Sequence, residues 1–265
     1  MAAFLFVVIL ALLGYIFYQK QKIKNIGFDD GVEAPSRLFH GKPQAPEVLC
    51  PKMVEYKVRG RSTQTGRIRT ESRIKVLPED AKEEFEGFSE IKEVEVVEQY
   101  GPSINTLKYA DNLGIKVPDG STQQDVSIMI SKVTNDQPWR NWIEVSYQLA
   151  KYAANHGAIL SRYCDDAGAL YRVHYSLKDP ERIYLFIFSV HHHLIGLAEY
   201  DMETTPYKNM YERFVEQYQK DVKFLQSMSH FEGYDLSLYK DFDGNKKRTT
   251  AYQTAVEFLK ENNAI

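Results

Sequence analysis

The chain has 265 residues, 43% apolar and 13% aromatic, with 33 Lys and Arg against 36 Asp and Glu for a formal net charge of −3. This is enough apolar material for one large or two small cores, which excludes disorder throughout; the balanced charge excludes a global polycation, so affinity for an anionic partner needs a local patch. The two cysteines, Cys50 and Cys164, form neither a disulfide framework nor a zinc quartet.

Residues 1–18 carry no charged side chain, and Lys20, Lys22 and Lys24 follow at once. As a helix at about 1.5 Å per residue, Ala2 to Tyr18 spans roughly 26 Å, a minimal crossing of a hydrocarbon core of roughly 30 Å. Tyr15 and Tyr18 suit headgroup depth, and the three lysines can snorkel along their stems. The expectation is an uncleaved single-pass transmembrane anchor over residues 1–18 that meets the lipid bilayer through residues 2–18. Because the positive charge lies on its C-terminal flank, the N-terminus is expected outside the cell membrane and the bulk of the chain in the cytoplasm. Residues 19–51, with Pro35, Pro43, Pro46 and Pro51 and no periodicity, are expected to be a flexible linker. Beyond the three lysines the chain holds 30 basic and 36 acidic side chains, a net −6.

From residue 53 the pattern alternates, with Val54, Tyr56 and Val58 on one side and Glu55, Lys57, Arg59 and Arg61 on the other. After a turn ending at Gly66 it resumes with Ile68, Ile74 and Val76 inward and Arg67, Arg69, Glu71, Arg73 and Lys75 outward, which predicts a hairpin. Pro78, Glu79, Asp80 and Glu83 suit a short helix to about Phe88, and Val94 and Val96 mark a third strand near 91–99. Residues 52–100 are therefore expected to be a small ββαβ module. Residues 101–134 follow as two short helices, the first carrying Ile104 and Leu107 and stopping at Gly114, the second capped by Ser121 or Thr122 and carrying Val126, Ile130 and Val133.

From Trp139 the pattern becomes helical, and residues 139–265 are expected to form an all-α domain. Trp142, Val145, Leu149 and Ala153 form one stripe. Asp179-Pro180-Glu181 starts a helix over Ile183 to Leu197 that is apolar nearly all round and hence central. Thr205-Pro206 repeats the start signal, and Tyr207, Met210, Phe214, Tyr218, Val222 and Leu225 make the strongest stripe in the chain. Tyr252, Ala255, Val256 and Leu259 close the fold with a last helix. The expected class is α+β, with a transmembrane helix, the ββαβ module, the two-helix element and the all-α domain in that order.

Four groups of residues invite a functional reading. Lys57, Arg59, Arg61, Arg67, Arg69, Arg73 and Lys75 on one outward hairpin face, against Glu55 and Glu71, could meet a nucleic acid or anionic surface, since cations two apart on a strand lie about 7 Å apart, near phosphate spacing. The alternative is cross-strand pairing with Glu93 and Glu95 on a solvated face. His191, His192 and His193 point about 100° apart on a helix and have Ile187 and Ile195 one turn away, so they form no metal site. Cys164 stands beside Asp165 and Asp166, whose charge raises a thiol pKa, and a helix cap or buried thiol is expected there. Asp241-Phe242-Asp243-Gly244-Asn245 misplaces the glycine of a calcium loop and ends on Tyr252 at the twelfth position, so a turn is expected.

The segment Leu107-Lys108-Tyr109-Ala110-Asp111-Asn112-Leu113-Gly114-Ile115, then Pro118-Asp119-Gly120 and Asp125-Val126-Ser127-Ile128, resembles the SAP-like helix-extension-helix element, a family often associated with DNA binding. Gln123 or Gln124 stands where that family tends to place a lysine that meets phosphate. The basic hairpin, this element and the helical tail together are also similar to uncharacterised bacterial and phage-type membrane proteins, which implies no activity. No phosphate loop, dinucleotide fingerprint or nucleophile elbow occurs, so neither an enzyme nor a cofactor is expected. The expected function is that of a membrane-anchored cytoplasmic binding or scaffold protein docking a protein partner; the alternative is a membrane-tethered nucleic-acid-binding protein using the hairpin and the SAP-like element.

Overall fold

Alternating residues of 53–61 and 68–76 build a hairpin, and a third strand joins it on the other side. The computed structural model describes residues 49–78, 80, 85–135 and 142–265. Its sheet is antiparallel, in the order β2 (Ile68–Leu77), β1 (Lys52–Ser62), β3 (Phe88–Val96). The third strand begins three residues before the expected position, and the short helix expected between β2 and β3 falls largely outside the described residues.

Register decides which side chains share a face. Val54 pairs with Lys75, Tyr56 with Arg73, Val58 with Glu71 and Gly60 with Arg69. Directly paired residues project from the same side of a sheet. The expected inner residues of β1 therefore share a face with the expected outer residues of β2. On that face Tyr56 meets Phe85 edge-on at 5.6 Å, and Val58 is fully buried. Lys57, Arg59 and Arg61 lie on the other face, opposite Ser72, Thr70 and Ile68 on one side and Glu95, Glu93 and Glu90 on the other.

Eight helices follow among the described residues: α1 (Ile104–Asn112), α2 (Gln123–Thr134), α3 (Tyr147–Asn155), α4 (Asp166–Ser176), α5 (Asp179–Ile195), α6 (Lys208–Tyr218), α7 (Val222–Met228) and α8 (Thr250–Glu261). Short-range side-chain caps set most of their starts. Ser103 accepts from the Thr106 amide at 3.1 Å, and Thr122 with Asp125 forms a full capping box. Ser146 caps α3, so Trp142 to Val145 lies before the helix rather than within it; Glu144 there bridges to Asp165. Asp221 accepts from the Lys223 and Phe224 amides at 2.9 and 3.0 Å, which splits the expected long helix into α6 and α7. The Asp241–Asn245 segment is a turn whose Asp243 carboxylate accepts from the Asn245 and Lys246 amides.

The main core gathers around α5, whose Ile183, Leu185, Phe186, Ile187, Phe188 and Val190 are each no more than 1% exposed. Each such burial stabilises the fold by about 1.5–3 kcal/mol. Met53 and Val76 join this core from the sheet, while Ala110, Ile115, Val126, Met129 and Tyr163 form a smaller cluster around α1 and α2. Asp80 ties sheet to helices: its carboxylate accepts from the Tyr147 hydroxyl at 2.6 Å and the Val76 amide at 3.1 Å and pairs with Lys151 at 2.8 Å. The described residues belong to a single compact unit.

Two expectations are corrected. Among the described residues no helix is long and apolar enough to cross a membrane. Even the most apolar helix, α5, has 17 residues, carries Asp179, Glu181 and Arg182 in its first turn and lies in the protein core. The fold class is therefore mixed α+β, with three strands and eight helices among the described residues, in place of an architecture led by a transmembrane helix. The expected single-pass membrane localisation, with its outside N-terminus and cytoplasmic bulk, is corrected on the same finding: no described helix supplies a span. Residues 2–18, the flanking Lys20, Lys22 and Lys24, and the expected linker up to residue 48 lie outside the described residues.

Candidate functional site

The start of α4 lies at the floor of a cleft of about 1270 Å³. Asp165 is the N-cap, accepting from the Gly168 amide at 2.8 Å, and its other oxygen pairs with Lys132 of α2. The Asp166 amide donates to the Ile143 carbonyl at 2.9 Å, continuing the bridge between Glu144 and Asp165. One wall is thus α2, through Ile128, Ser131 and Lys132, and the floor is the first turn of α4.

The opposite wall is the segment 234–240, which begins in a 3-10 turn over Gly233–Leu236. Gly233 is required there: a Cβ would lie 2.2 Å from the Leu170 carbonyl oxygen and 2.5 Å from the Tyr171 Cα. This close approach stacks Tyr234 on Tyr171, with centroids 6.1 Å apart and planes 21° from parallel. Tyr175, one turn along α4, meets the edge of Tyr171 at 4.8 Å. An ion pair between Asp235 and Lys246, together with Lys246 donating to the His230 carbonyl at 2.9 Å, holds the turn in place.

Asp166 lies at the cleft floor and is 1% exposed. Ser237 donates to its Oδ2, while Oδ1 has no hydrogen-bond partner among the described residues. Burial pushes its carboxyl above the usual range; the Ser237 and Tyr200 hydroxyls offset part of that rise, Asp165 adds to it and Lys240 opposes it. Cys164 also lines the cleft, is 2% exposed, and has its thiol pKa raised chiefly by burial. It is a buried thiol behind a helix cap. Arg172 lies within 2.8 Å of the Gln124 amide when that amide turns its oxygen toward the guanidinium.

The basic hairpin residues are divided rather than gathered. On one face Arg59 pairs with Glu93 at 3.8 Å and Arg61 with Glu90 at 3.4 Å, and Lys57 stands opposite Glu95. On the other, Glu71 lies between Arg69 at 2.9 Å and Arg73 at 2.5 Å. Arg69 covers the Phe88 ring and Lys75 the Phe85 ring; Arg67 stands just before β2. The two glutamines of the SAP-like segment are used internally. Gln123 accepts from the Ser103 amide at 2.8 Å and donates to Thr106 at 3.1 Å, joining the starts of α1 and α2, and Gln124 faces Arg172.

The three histidines are also structural. His191 bonds the Tyr211 hydroxyl at 2.6 Å and the Ala264 carbonyl at 3.1 Å, His192 stacks on Phe188, and His193 meets the Phe242 edge. No protein-family model, curated protein or solved structure matches this chain.

The cleft is not legible in the sequence because its residues come from four separate places between 128 and 240: 128–135, Ile143, 164–172 and 234–240. The one local signal is Cys164-Asp165-Asp166, where the second carboxylate rather than the thiol forms the cleft floor.

Proposed function

We propose that this chain is a non-enzymatic binding protein that takes a segment of a protein partner into the cleft at the start of α4. The observation that carries this reading is the tyrosine wall: Tyr171, Tyr234 and Tyr239 line the cleft and remain 39%, 42% and 51% exposed. Exposed tyrosines offer large rigid contact area with a polar tip, and they are enriched where proteins bind one another. The cleft also exceeds the roughly 300–1,000 Å³ of pockets that enclose a small molecule, which suits a longer segment. Burial raises the Cys164 pKa, opposite to what thiolate chemistry needs, which favours binding over catalysis. Nucleic-acid contact through the hairpin would have to work with cations split between two faces and largely paired with glutamates.

Site-specific photo-crosslinking of the full chain tests the reading. Benzoylphenylalanine at Tyr239 is expected to yield a discrete protein adduct in the cells that express the chain, absent when the label replaces Tyr100, which is 89% exposed and outside the cleft. The adduct should disappear when Tyr234 is changed to Ala. Identical adducts from positions 239 and 100, or none from 239, would overturn the proposal.

A further inference from the structure

We infer that the cleft anchors its occupant through a carboxylate: the segment it takes is acidic, with an Asp or Glu side chain held by Arg172 and Lys240 while a donor of the same segment reaches Asp166. This rests on the protein-segment reading above and names the chemistry that segment must carry.

Charge is the first support. Lys132, Arg172 and Lys240 line the cleft with Asp165 and Asp166, three cations against two carboxylates, a formal excess of +1. Lys132 is neutralised by Asp165. Arg172 and Lys240 have no carboxylate within ion-pair distance among the described residues; the partner of Arg172 is the neutral Gln124 amide. The Gln124 oxygen lies 2.8–2.9 Å from all three guanidinium nitrogens, and since these carry five N–H donors, at least the second N–H of each terminal nitrogen remains for a carboxylate. A single negative charge balances the cleft. A phosphate monoester, with about −1.5 to −2 at neutral pH, would overshoot and would face both aspartates.

The second support is independent of the cations. Among the described residues Asp166 Oδ1 is a buried acceptor with no hydrogen-bond partner, the Ser237 hydroxyl bonding the other oxygen, in a side chain 1% exposed on the cleft floor. Buried acceptors are normally satisfied, and a peptide N–H or hydroxyl entering the cleft would satisfy this one. An acidic peptide supplies both complements at once, an anion for Arg172 and Lys240 and a donor for Asp166. Its neighbouring side chain can lie on the stacked Tyr171 and Tyr234 rings.

The test uses the ¹⁵N-labelled full chain, titrated with three acetylated and amidated peptides of sequence Gly-X-Tyr-Gly, where X is Glu, Gln or phosphoserine. The Glu peptide is expected to shift the Ala167 and Gly168 amides and the Arg172 Nε resonance saturably, and to bind about tenfold more tightly than the Gln peptide, the effect of one charge-assisted contact. Arg172→Gln should abolish that preference, whereas Arg213→Gln, on α6 and bonded to Asn262, should preserve it. Should Arg172→Gln fail to fold, Lys240→Gln reads the same loss. Equal binding of the Glu and Gln peptides at the tyrosine wall would overturn the carboxylate anchor and leave the protein-segment reading standing. Tighter binding of the phosphoserine peptide would replace carboxylate by phosphate and so overturn the inference. Absence of any shift in the cleft with all three peptides would count against both.

Discussion

Gly233→Ala is a sharp test of how the cleft is built, because one methyl group must meet backbone. The new Cβ would lie 2.2 Å from the Leu170 carbonyl oxygen, 2.5 Å from the Tyr171 Cα and 2.6 Å from the Leu170 carbonyl carbon. Ordinary contact begins at 3.4 Å, so the turn and α4 must separate by about 1.2 Å. No flexible side chain can yield, since all three atoms belong to the helix backbone. Overpacking costs about 1–3 kcal/mol where side chains can adjust. Here the separation also loosens Phe231 and Leu236, which are 2% and 1% exposed, so the upper end, about 3 kcal/mol, is expected. That is a large share of the roughly 5–15 kcal/mol that holds a domain folded. Urea unfolding followed by fluorescence and far-ultraviolet circular dichroism measures the loss, and near-ultraviolet dichroism reports the stacked Tyr171 and Tyr234. Gly244→Ala is the control, because nothing lies within 4 Å of a Cβ there, and it should stay within about 0.5 kcal/mol of the parent. Parent-like stability for Gly233→Ala would refute the close-approach argument.

Acid should weaken the fold before the carboxylates titrate. Burial, with the neighbouring His191 and His193, lowers the His192 pKa to about 4 from 6.5, so the unfolded chain binds more protons between those values. Stability should fall by about 2 kcal/mol between pH 6.5 and pH 5, and His192→Phe should flatten that slope in urea titrations; an unchanged slope would sink the assignment. The raised Asp166 acts in the opposite direction, costing stability as pH rises through its folded pKa, so the difference between parent and His192→Phe isolates the histidine. At Asp80 burial raises the carboxyl pKa, but the bonds from Lys151, Tyr147 and the Val76 amide outweigh it and hold the group below the usual range. Its contribution is present above the unfolded carboxylate pKa and is lost as pH falls through the folded one. Asp80→Asn should cost about 2–3 kcal/mol at pH 7 by chemical unfolding, and a cost under 0.5 kcal/mol would show that the Lys151 and Tyr147 contacts are dispensable. Burial pushes the Cys50 thiol up to about 12 and raises Cys164 as well, so a disulfide-exchange dye should label neither in the native chain and both in denaturant; rapid native labelling would contradict their burial.

Much of the helical architecture was legible in the sequence, because its signals are local. A Ser or Thr three residues before an amide it can accept from, Pro180 in the first turn of α5, and Gly114 with φ 72° where α1 ends all act within one turn of chain, whereas the stop at Gly196, one residue before the expected end at Leu197, did not stand out. The apolar surround of Ile183 to Val190 likewise identified the central helix. Errors came where a local cap competed with a stripe. Ser146 delayed α3, and Asp221 broke α6 from α7 in the middle of the strongest apolar pattern.

Sheet register and the cleft depended on tertiary structure. Alternation shows that a strand has two faces but not which face of one strand joins which face of the next, and a shift of one residue reverses every side chain. The pairing of Val58 with Glu71 therefore divided a basic set that looked continuous in sequence. The cleft needed more still: a helix cap at Asp165, a lysine 33 positions earlier, and a glycine at 233 that lets a distant turn touch α4. By itself the sequence determined where several helices start and which one is buried, since those follow from hydrogen bonds and apolar periodicity within a few residues. Which charges meet, which stay unpaired, and which tyrosines share a wall were decided by packing, because they depend on chain segments brought together only when the core forms.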